Sequence, residues 1–300
     1  MTLHRRHWLL LLALPPLFWA GNALVGRAVV GQVPPLALAF WRWVVALALA
    51  LPFTWREIVT NAPMLRRHWK VLVGLGVTSV GAYNTLLYLA VQTTTAINAT
   101  LVGASMPLMI LVLAATWLRQ PIGWRQIGGI LVSLVGLVVV VTHGEPALLL
   151  GLRLGAGDGL MLLATLSWAV YSVMLKRYPL AIGGLALLTV LMAVGLVVIL
   201  PFYLWELSGG ARMAAGWQAP AAIAYTATIA SLAAYTLWNR GVAEIGATLA
   251  GQYTYLLPMF TALLAVLLLG EAFQWHHAVG GGLIFAGIGL ANGLGTGGRR

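Results

Sequence analysis

Long runs of apolar residues, separated by short polar joins, follow one another along all 300 residues of the chain. An α-helix needs about 20 apolar residues to cross roughly 30 Å of hydrocarbon. The runs are continuously apolar and do not alternate in segments of about ten residues, which excludes a transmembrane β-barrel. The pattern therefore predicts an all-α, polytopic membrane protein with ten transmembrane helices. These cover residues 8–30, 36–55, 71–91, 95–118, 123–142, 157–177, 182–205, 218–239, 247–269 and 276–294.

The composition supports the same class and excludes others. Apolar residues make up 61% of the chain and charged residues 8%, whereas soluble proteins are about a quarter charged. The net charge of +11 comes from basic residues scattered between apolar runs, so we expect the lipid bilayer as partner and no nucleic acid. Because the chain has no cysteine, thiolate metal sites are excluded, and we expect neither a metal nor a cofactor.

The distribution of Lys and Arg predicts the orientation in the membrane. With a cytoplasmic N-terminus, 13 of the 17 basic residues fall in inside segments, and only Arg153 and Arg212 fall in outside loops. Arg27 and Arg42 lie within predicted spans. The N-terminus resembles a signal peptide, but no Ala-x-Ala cleavage site follows, which favours an uncleaved first helix. We therefore expect both termini in the cytoplasm.

An internal repeat divides the chain into two halves, residues 1–148 and 149–300. Residues of the first half align with similar residues about 150 positions later. Shifts of 149 and 151 place Trp19 on Trp168, Leu51-Pro52-Phe53 on Leu200-Pro201-Phe202, Pro107 on Pro258, Gly129 on Gly280 and Gly136 on Gly287. Five helices are an odd number, so the second copy would enter the membrane from the opposite side. Such inverted repeats bind substrate near the midplane between the halves; a duplicated packing unit without transport is the alternative.

Polar and aromatic residues at helical spacing predict a binding site between the halves. Trp19 and Asn22 share one helix face, and their repeat equivalents are Trp168 and Tyr171. The full set of candidate substrate-binding residues is Trp19, Asn22, Tyr83, Tyr88, Asn98, Ser105, Trp168, Tyr171, Tyr235, Trp238, Gln252 and Tyr255. The alternative for the hydroxyl residues is hydrogen bonding to a nearby backbone. Tryptophans near span ends are typical interfacial anchors: Trp8, Trp55, Trp69, Trp117, Trp205, Trp217 and Trp275.

Three further kinds of residue have distinct expected roles. Arg42 lies about seven residues into the second span and is a candidate partner for a substrate carboxylate, although it could equally extend outward or bind carbonyls of a bent neighbour. Pro107 and Pro258 each remove a backbone N–H and are expected to bend their helices. The glycines of the last span predict close packing, with Gly289-x-x-x-Gly293 as a helix–helix contact.

These residues resemble the EamA-type exporters of the drug/metabolite transporter superfamily. The resemblance rests on Leu17-Phe18-Trp19-Ala20-Gly21-Asn22, Pro34-Pro35 before Phe40-Trp41-Arg42, Pro107, and Leu269-Gly270-Glu271. Within the superfamily the chain is most similar to the bacterial YddG-type aromatic amino acid exporters. The family pattern has an acid at both repeat ends, but Gln120 stands where the second half has Glu271. The resemblance implies a multi-pass protein of the bacterial inner membrane that exports amino acids and related metabolites by alternating access.

The scarcity of acids suggests a mechanism. None of the six acidic residues falls at mid-span, whereas proton-coupled carriers usually depend on an intramembrane acid or His. We therefore expect facilitated export of aromatic and other neutral amino acids by a monomer or weak homodimer. A multidrug or cationic-metabolite exporter of the same superfamily is the alternative. A membrane enzyme is not expected, because no His, Cys or Asp stands at mid-span to act as base or metal ligand. A retinal protein is not expected either, because both lysines, Lys70 and Lys176, lie at span ends. A selectivity-filter channel would need a ring of carbonyls or charges, and no such segment appears.

Overall fold

The computed structural model describes residues 5–293, and this range is helical without any β-strand. The topological predictions that concern Arg299 and Arg300 lie outside the described residues. Nine helices within the range are long and apolar enough to cross a membrane. They are α1 (His7–Ala28), α2 (Pro35–Thr60), α3 (Trp69–Ala90), α4 (Ala96–Trp117), α5 (Trp124–Val141), α6 (Ala156–Arg177), α7 (Gly184–Ser208), α8 (Gln218–Ile245) and α9 (Ala247–Leu269).

One more long helix, α10 (Trp275–Asn292), follows α9. It has 18 residues and is less apolar than the other nine, so its crossing of the membrane stays a prediction. Two short elements connect longer ones: a helix at Ala62–Arg67 between α2 and α3, and a 3-10 helix at Pro146–Gly151 between α5 and α6. The nine spans agree with the predicted apolar runs to within a few residues at most ends, because length and hydrophobicity determine both.

Three helices are interrupted just before a proline, where a missing N–H and a ring clash weaken the preceding turn. In α1 the regular helix restarts at Leu14, ahead of Pro15. In α4 it stops at Gly103 and restarts at Met106, next to Pro107. In α9 a 3-10 turn at Tyr253–Tyr255 precedes Pro258. The interruptions in α4 and α9 therefore occupy equivalent places in the two halves.

Wider π-helical turns also occupy equivalent places. They cover Val77–Tyr83 in α3 and Thr228–Ala233 in α8, which begin 151 residues apart. A π-turn leaves the regular hydrogen-bonding pattern of the α-helix and is frequent at functional sites. Both turns lead directly into residues of the candidate site.

Glycines bring α5 and α10 into close contact. A Cβ at Gly136 would lie 2.5 Å from the carbonyl oxygen of Gly280, and one at Gly129 would lie 2.5 Å from that of Gly287. Since the lower-numbered glycine of α5 faces the higher-numbered one of α10, the two helices run antiparallel. Ser133, between the glycines, donates a hydrogen bond of 3.3 Å to the carbonyl of Ile284.

The predicted contact through Gly289-x-x-x-Gly293 is not the one that α10 makes with α5. Nothing lies within 4 Å of a Cβ built at Gly289. Gly280 and Gly287, two turns apart on the face toward α5, provide the close approach instead. The small-residue rule does not distinguish among the glycines of α10, and a helix–helix contact through Gly289-x-x-x-Gly293 outside the α5–α10 pair stays a prediction.

Two glutamates hold α2 and α7 together at both ends. Glu206, near the C-terminal end of α7, accepts hydrogen bonds from the backbone N–H groups of Leu36 (3.0 Å) and Ala37 (2.7 Å) in the first turn of α2. Glu57, near the C-terminal end of α2, accepts one of 2.5 Å from the N–H of Gly183, which precedes α7. Carboxylates are stabilised at helix N-termini by free N–H groups and the helix dipole. Each helix therefore caps the other.

Candidate functional site

Seven aromatic side chains meet in the interior, where both halves of the chain contribute helices. We call them the aromatic cluster. It comprises Trp19 of α1, Trp43 of α2, Tyr83 of α3, Trp168 and Tyr171 of α6, and Tyr235 and Trp238 of α8. All of these residues except Trp43 are site residues predicted from the sequence.

Trp168 lies at the centre of the aromatic cluster. Its ring centroid is 5.2 Å from that of Trp19, 4.8 Å from that of Tyr83 and 5.1 Å from that of Tyr235. The rings of Trp19 and Trp168, which are repeat equivalents, meet edge to face at an interplanar angle of 90°, a favoured aromatic geometry. Trp168 and Tyr235 are 2% exposed, whereas Trp19 and Tyr83 are only half-buried. Trp19 and Tyr83 therefore form the accessible side of the cluster.

Polar groups of the cluster link it to the π-turns. The indole Nε1 of Trp19 donates a hydrogen bond of 3.1 Å to the carbonyl of Ala230, inside the π-turn of α8. Asn84, directly after the π-turn of α3, donates one of 3.3 Å to the hydroxyl of Tyr235. The hydroxyl of Tyr171 donates one of 2.5 Å to Oδ1 of Asn239. The irregular turns thus supply carbonyls and place side chains that a regular helix would not.

Several buried polar atoms in and beside the cluster have no partner in the described structure. They include the indole Nε1 atoms of Trp43, Trp168 and Trp238 and the amide Nδ2 of Asn239. More than nine-tenths of buried polar groups in proteins are paired, and an unpaired donor is destabilising. All four of these atoms are donors enclosed by the protein, and none of them has an acceptor among the described residues.

Arg42 is 3% exposed and lies against this cluster. Its Nε donates a hydrogen bond of 2.9 Å to the hydroxyl of Ser231, and its Nη2 donates one of 3.3 Å to the carbonyl of Ala230. Its guanidinium also stands 5.1 Å from the ring centroid of Trp43. The sequence-based alternative of carbonyl binding on a distorted neighbour therefore describes Nη2, whereas Nε bonds a side-chain hydroxyl of the same neighbour. Nη1 has no protein partner within residues 5–293, which leaves one nitrogen for a ligand.

Other predicted site residues make structural hydrogen bonds. Asn98 donates one of 3.0 Å to the carbonyl of Arg153 and one of 3.1 Å to the carboxylate of Asp158. Ser105 bonds the carbonyl of Val102 in its own helix at 2.6 Å. Tyr255 donates one of 3.1 Å to the carbonyl of Ala104, at the interruption of α4. The structure does not bring Asn98 into the aromatic cluster, and the polar groups of Ser105 and Tyr255 are already engaged.

Asn22, Tyr88 and Gln252 complete the predicted set. Tyr88 is half-buried and packs against the interior. Gln252 is fully buried, and neither its amide nitrogen nor its amide oxygen has a partner. The side-chain oxygen of half-buried Asn22 is also buried and unpartnered. Asn22 and Gln252 therefore have buried polar atoms that no described residue satisfies.

Sequence reasoning missed two residues beside this site. Trp43 is part of an unbroken apolar run and resembles any lipid-facing residue in sequence, although its position next to Arg42 was a usable signal. Asn239 lies near a predicted span end, where polar residues are expected. Trp8, predicted to be an interfacial anchor, is instead 5% exposed and packed inside, with the guanidinium of Arg240 5.9 Å from its ring centroid. The first turn of α1 is therefore covered by α8.

The acidic residues stand at helix ends or in loops, as the sequence indicates. Asp158, in the first turn of α6, accepts hydrogen bonds from the hydroxyl of Thr94, from Asn98 and from the N–H of Gly155 (2.7 Å). These bonds join the start of α6 to the start of α4. No group of three or more His, Asp or Glu side chains in residues 5–293 is arranged to hold a metal ion.

Comparison with known proteins gives consistent matches. The sequence profile of the EamA-like transporter family matches residues 6–142 and 155–293. An uncharacterized transporter of Archaeoglobus fulgidus is 31% identical over 284 residues, which cover 93% of this chain and 95% of that protein. A protein of Streptantibioticus cattleyicolor, named as a probable terminal-alkyne amino-acid exporter, is 29% identical over 225 residues, which cover 75% of this chain and 73% of that protein.

A solved crystal structure has the same fold. It superposes with a TM-score of 0.77 at 22% sequence identity and covers 97% of this chain and 99% of that chain. The likeness extends over both halves.

Proposed function

The chain belongs to the EamA-like transporter family, and on this premise we propose that it exports aromatic and other neutral amino acids and related small metabolites across the bacterial inner membrane. The observation that carries the proposal is the aromatic cluster with its unpaired donors and Arg42. Aromatic walls with a few convergent polar groups suit a flat apolar side chain joined to a charged head. The amino-acid exporter named among the relatives supports the same substrate class.

The proposed topology is an inverted repeat of ten spans with both termini in the cytoplasm. Three hydrogen bonds that join residues 151 apart support it: Asn84 to Tyr235, Tyr255 to Ala104 and Ser133 to Ile284. Equivalent residues can touch only beside the axis that relates the two copies. The antiparallel pairing of α5 with α10 is expected of an axis lying in the membrane plane. The substrate path would follow the same axis, past the rings of Trp19 and Trp168.

In the proposed mechanism, the carboxylate of the substrate accepts a hydrogen bond from Nη1 of Arg42, and its side chain packs on Trp19 and Tyr83. Alternating access exposes this site first to one side and then to the other. The interrupted helices α4 and α9 supply equivalent hinges for the two halves. A cationic solute is disfavoured, because the site contains Arg42 and, among the described residues, no acid. The substrate moves down its own gradient, since the site includes no group that must release a proton.

The test is export of labelled Phe, Trp, Thr and Met from cells that express the chain, compared with an empty vector. Arg42→Gln should reduce aromatic amino acid export about tenfold or more, because a charge-assisted hydrogen bond is lost. Tyr83→Ala and Trp168→Ala should also reduce export. Arg27→Gln removes an exposed arginine of α1 and serves as the matched control.

A competition experiment isolates the role of the carboxylate. Phenylethylamine has the ring and the amine of phenylalanine but no carboxylate, so it should inhibit the wild-type protein much less than phenylalanine does. In Arg42→Gln this difference should disappear. Export equal to that of the empty vector contradicts the substrate class. Normal export by all three site variants contradicts the site.

A further inference from the structure

A pocket separate from the aromatic cluster opens where α4 and α6 end. Its volume is about 630 Å³, and it is lined by Thr116, Trp117, Leu118, Arg119, Arg177 and Tyr178. Two of the six lining residues are arginines, and none is acidic. Among the described residues, this pocket therefore gathers two guanidinium groups without a neutralising carboxylate in its wall.

The two arginines are placed differently. Arg177 donates a hydrogen bond from Nη1 to the carbonyl of Trp117, the last residue of α4, and its guanidinium lies 5.6 Å from the ring centroid of Tyr178. Arg177 is thereby held at the pocket wall. Arg119 has a backbone φ of 53°, which is uncommon for a residue other than glycine. Within residues 5–293 its exposed guanidinium makes no hydrogen bond, ion pair or ring contact and stays available.

The depth of the pocket restricts its ligand. α4 and α6 are long and apolar enough to span a membrane and end at Trp117 and Arg177, so we infer that the pocket lies where hydrocarbon gives way to water. Trp117 and Tyr178 are 40% and 41% exposed, as is typical of aromatic residues at headgroup level. Basic pockets between transmembrane helices at this depth suit anionic headgroups. The Lys and Arg distribution predicts that this face is cytoplasmic.

We propose that the pocket of Arg119 and Arg177 binds a phosphate group at the membrane surface. Guanidinium groups match phosphate oxygens by paired hydrogen bonds, and the aromatic side chains can pack on the glycerol backbone or acyl chain next to a phosphate. The same chemistry fits the headgroup of an anionic phospholipid and a soluble phosphate. The proposal is independent of which solute the transporter carries, because none of the pocket residues belongs to the aromatic cluster.

The experiment is native mass spectrometry of the full-length protein, titrated with phosphatidylglycerol, with phosphatidylcholine or with inorganic phosphate. We expect retention of phosphatidylglycerol over phosphatidylcholine. Arg119→Gln should weaken this retention about tenfold, because it removes one charged donor. Arg177→Gln should weaken lipid retention as well, but this variant also loses the hydrogen bond to the carbonyl of Trp117. Arg119→Gln is therefore the variant that tests the proposal. Arg66→Gln, at another exposed arginine outside the pocket, is the control and should retain the lipid.

Each result has a definite meaning. Phosphatidylglycerol retention that depends on Arg119 and resists excess inorganic phosphate identifies the lipid as the source. Binding of inorganic phosphate that is lost in Arg119→Gln identifies a soluble phosphate. Equal retention of phosphatidylglycerol by the wild type, Arg119→Gln and Arg66→Gln, without phosphate binding, overturns the proposal. So does equal retention of phosphatidylglycerol and phosphatidylcholine by the wild type without phosphate binding.

Discussion

At the scale of single residues, Gln252 and Asn84 are two buried amides in opposite situations. Both side chains are almost fully buried. The amide nitrogen of Asn84 donates hydrogen bonds to the carbonyls of Ser79 (3.2 Å) and Val80 (2.9 Å) and to the hydroxyl of Tyr235. Gln252 has no partner for either amide atom in the described structure. Asn84 therefore stabilises the π-turn of α3, whereas Gln252 carries an uncompensated desolvation cost.

This contrast gives a matched pair of variants. Gln252→Leu should raise the free energy of unfolding by about 1–2 kcal/mol, because an unpaired buried polar group costs roughly 1–3 kcal/mol. Asn84→Leu should lower the free energy of unfolding by a similar or larger amount, because this substitution removes an amide that is hydrogen-bonded to the π-turn and to Tyr235. Thermal unfolding in detergent measures both. A Gln252→Leu variant that is destabilised as much as Asn84→Leu would show that Gln252 is hydrogen-bonded. If Gln252 contacts substrate, export falls although stability rises.

Single residues also show the limit of sequence reasoning about the site. Helical spacing and the repeat predicted Trp19, Trp168 and Tyr235 as site residues, and the structure brings their rings together in the aromatic cluster. The same spacing also selected Asn98 and Ser105, whose polar groups are satisfied by Asp158 and Val102. Spacing defines a helix face but not the neighbour that the face meets. Only the three-dimensional packing separates a ligand-binding polar group from one that stabilises the fold.

At the scale of helices, the α5–α10 contact depends on the absence of side chains at particular glycines. Gly136→Ala would place a methyl group 2.5 Å from the carbonyl oxygen of Gly280, and neither backbone can give way easily. Gly289→Ala on the same helix pair meets nothing within 4 Å. The two substitutions are chemically identical and differ only in the space around them.

We therefore expect opposite changes in stability from these two substitutions. Gly136→Ala should lower the free energy of unfolding by roughly 1–3 kcal/mol, as overpacking does. Gly289→Ala should be neutral or raise it by up to about 1 kcal/mol, because alanine favours the helix. The midpoint of thermal unfolding decides between them. Equal stability of both variants would contradict the close contact. Loss of stability only in Gly289→Ala would point to a second interface there.

Helix ends and π-turns differ in how far the sequence predicts them. The repeat shift of 149 aligns Glu57 with Glu206. This alignment is a sequence signal for the reciprocal capping of α2 and α7, which the amino-acid composition alone does not reveal. The π-turns had none, since residues 77–83 and 228–233 contain ordinary small and apolar residues. The π-turn of α8 instead has tertiary partners, because Arg42 and Trp19 both donate hydrogen bonds to the carbonyl of Ala230. Tertiary contacts thus stabilise local geometry that no local pattern requires.

At the scale of the whole molecule, polar links between the halves stand near both ends of the spans. Near the end with Lys176 and Arg177, Glu57 caps α7 and Arg177 bonds the end of α4. Near the opposite end, Glu206 caps α2 and Asp158 bonds Thr94 and Asn98 of α4. The aromatic cluster lies between these two sets. In the proposed cycle, the protein opens toward one side when the hydrogen bonds between the halves on that side break and those on the other side remain.

The placement of these acids leads to a prediction about energy coupling. Glu57, Asp158 and Glu206 are used in capping helices and linking the halves, and the aromatic cluster includes no His, Asp or Glu among the described residues. A proton-coupled carrier needs an intramembrane group that binds and releases a proton during the cycle.

In proteoliposomes at zero membrane potential, an imposed pH gradient should leave phenylalanine transport unchanged, whereas an imposed phenylalanine gradient should drive this transport. The internal and external pH are kept where the substrate stays zwitterionic. A several-fold acceleration by the pH gradient would contradict facilitated transport. Asp158 would then be the first acid to replace by asparagine, because it accepts hydrogen bonds from Thr94 and Asn98 at the start of α4.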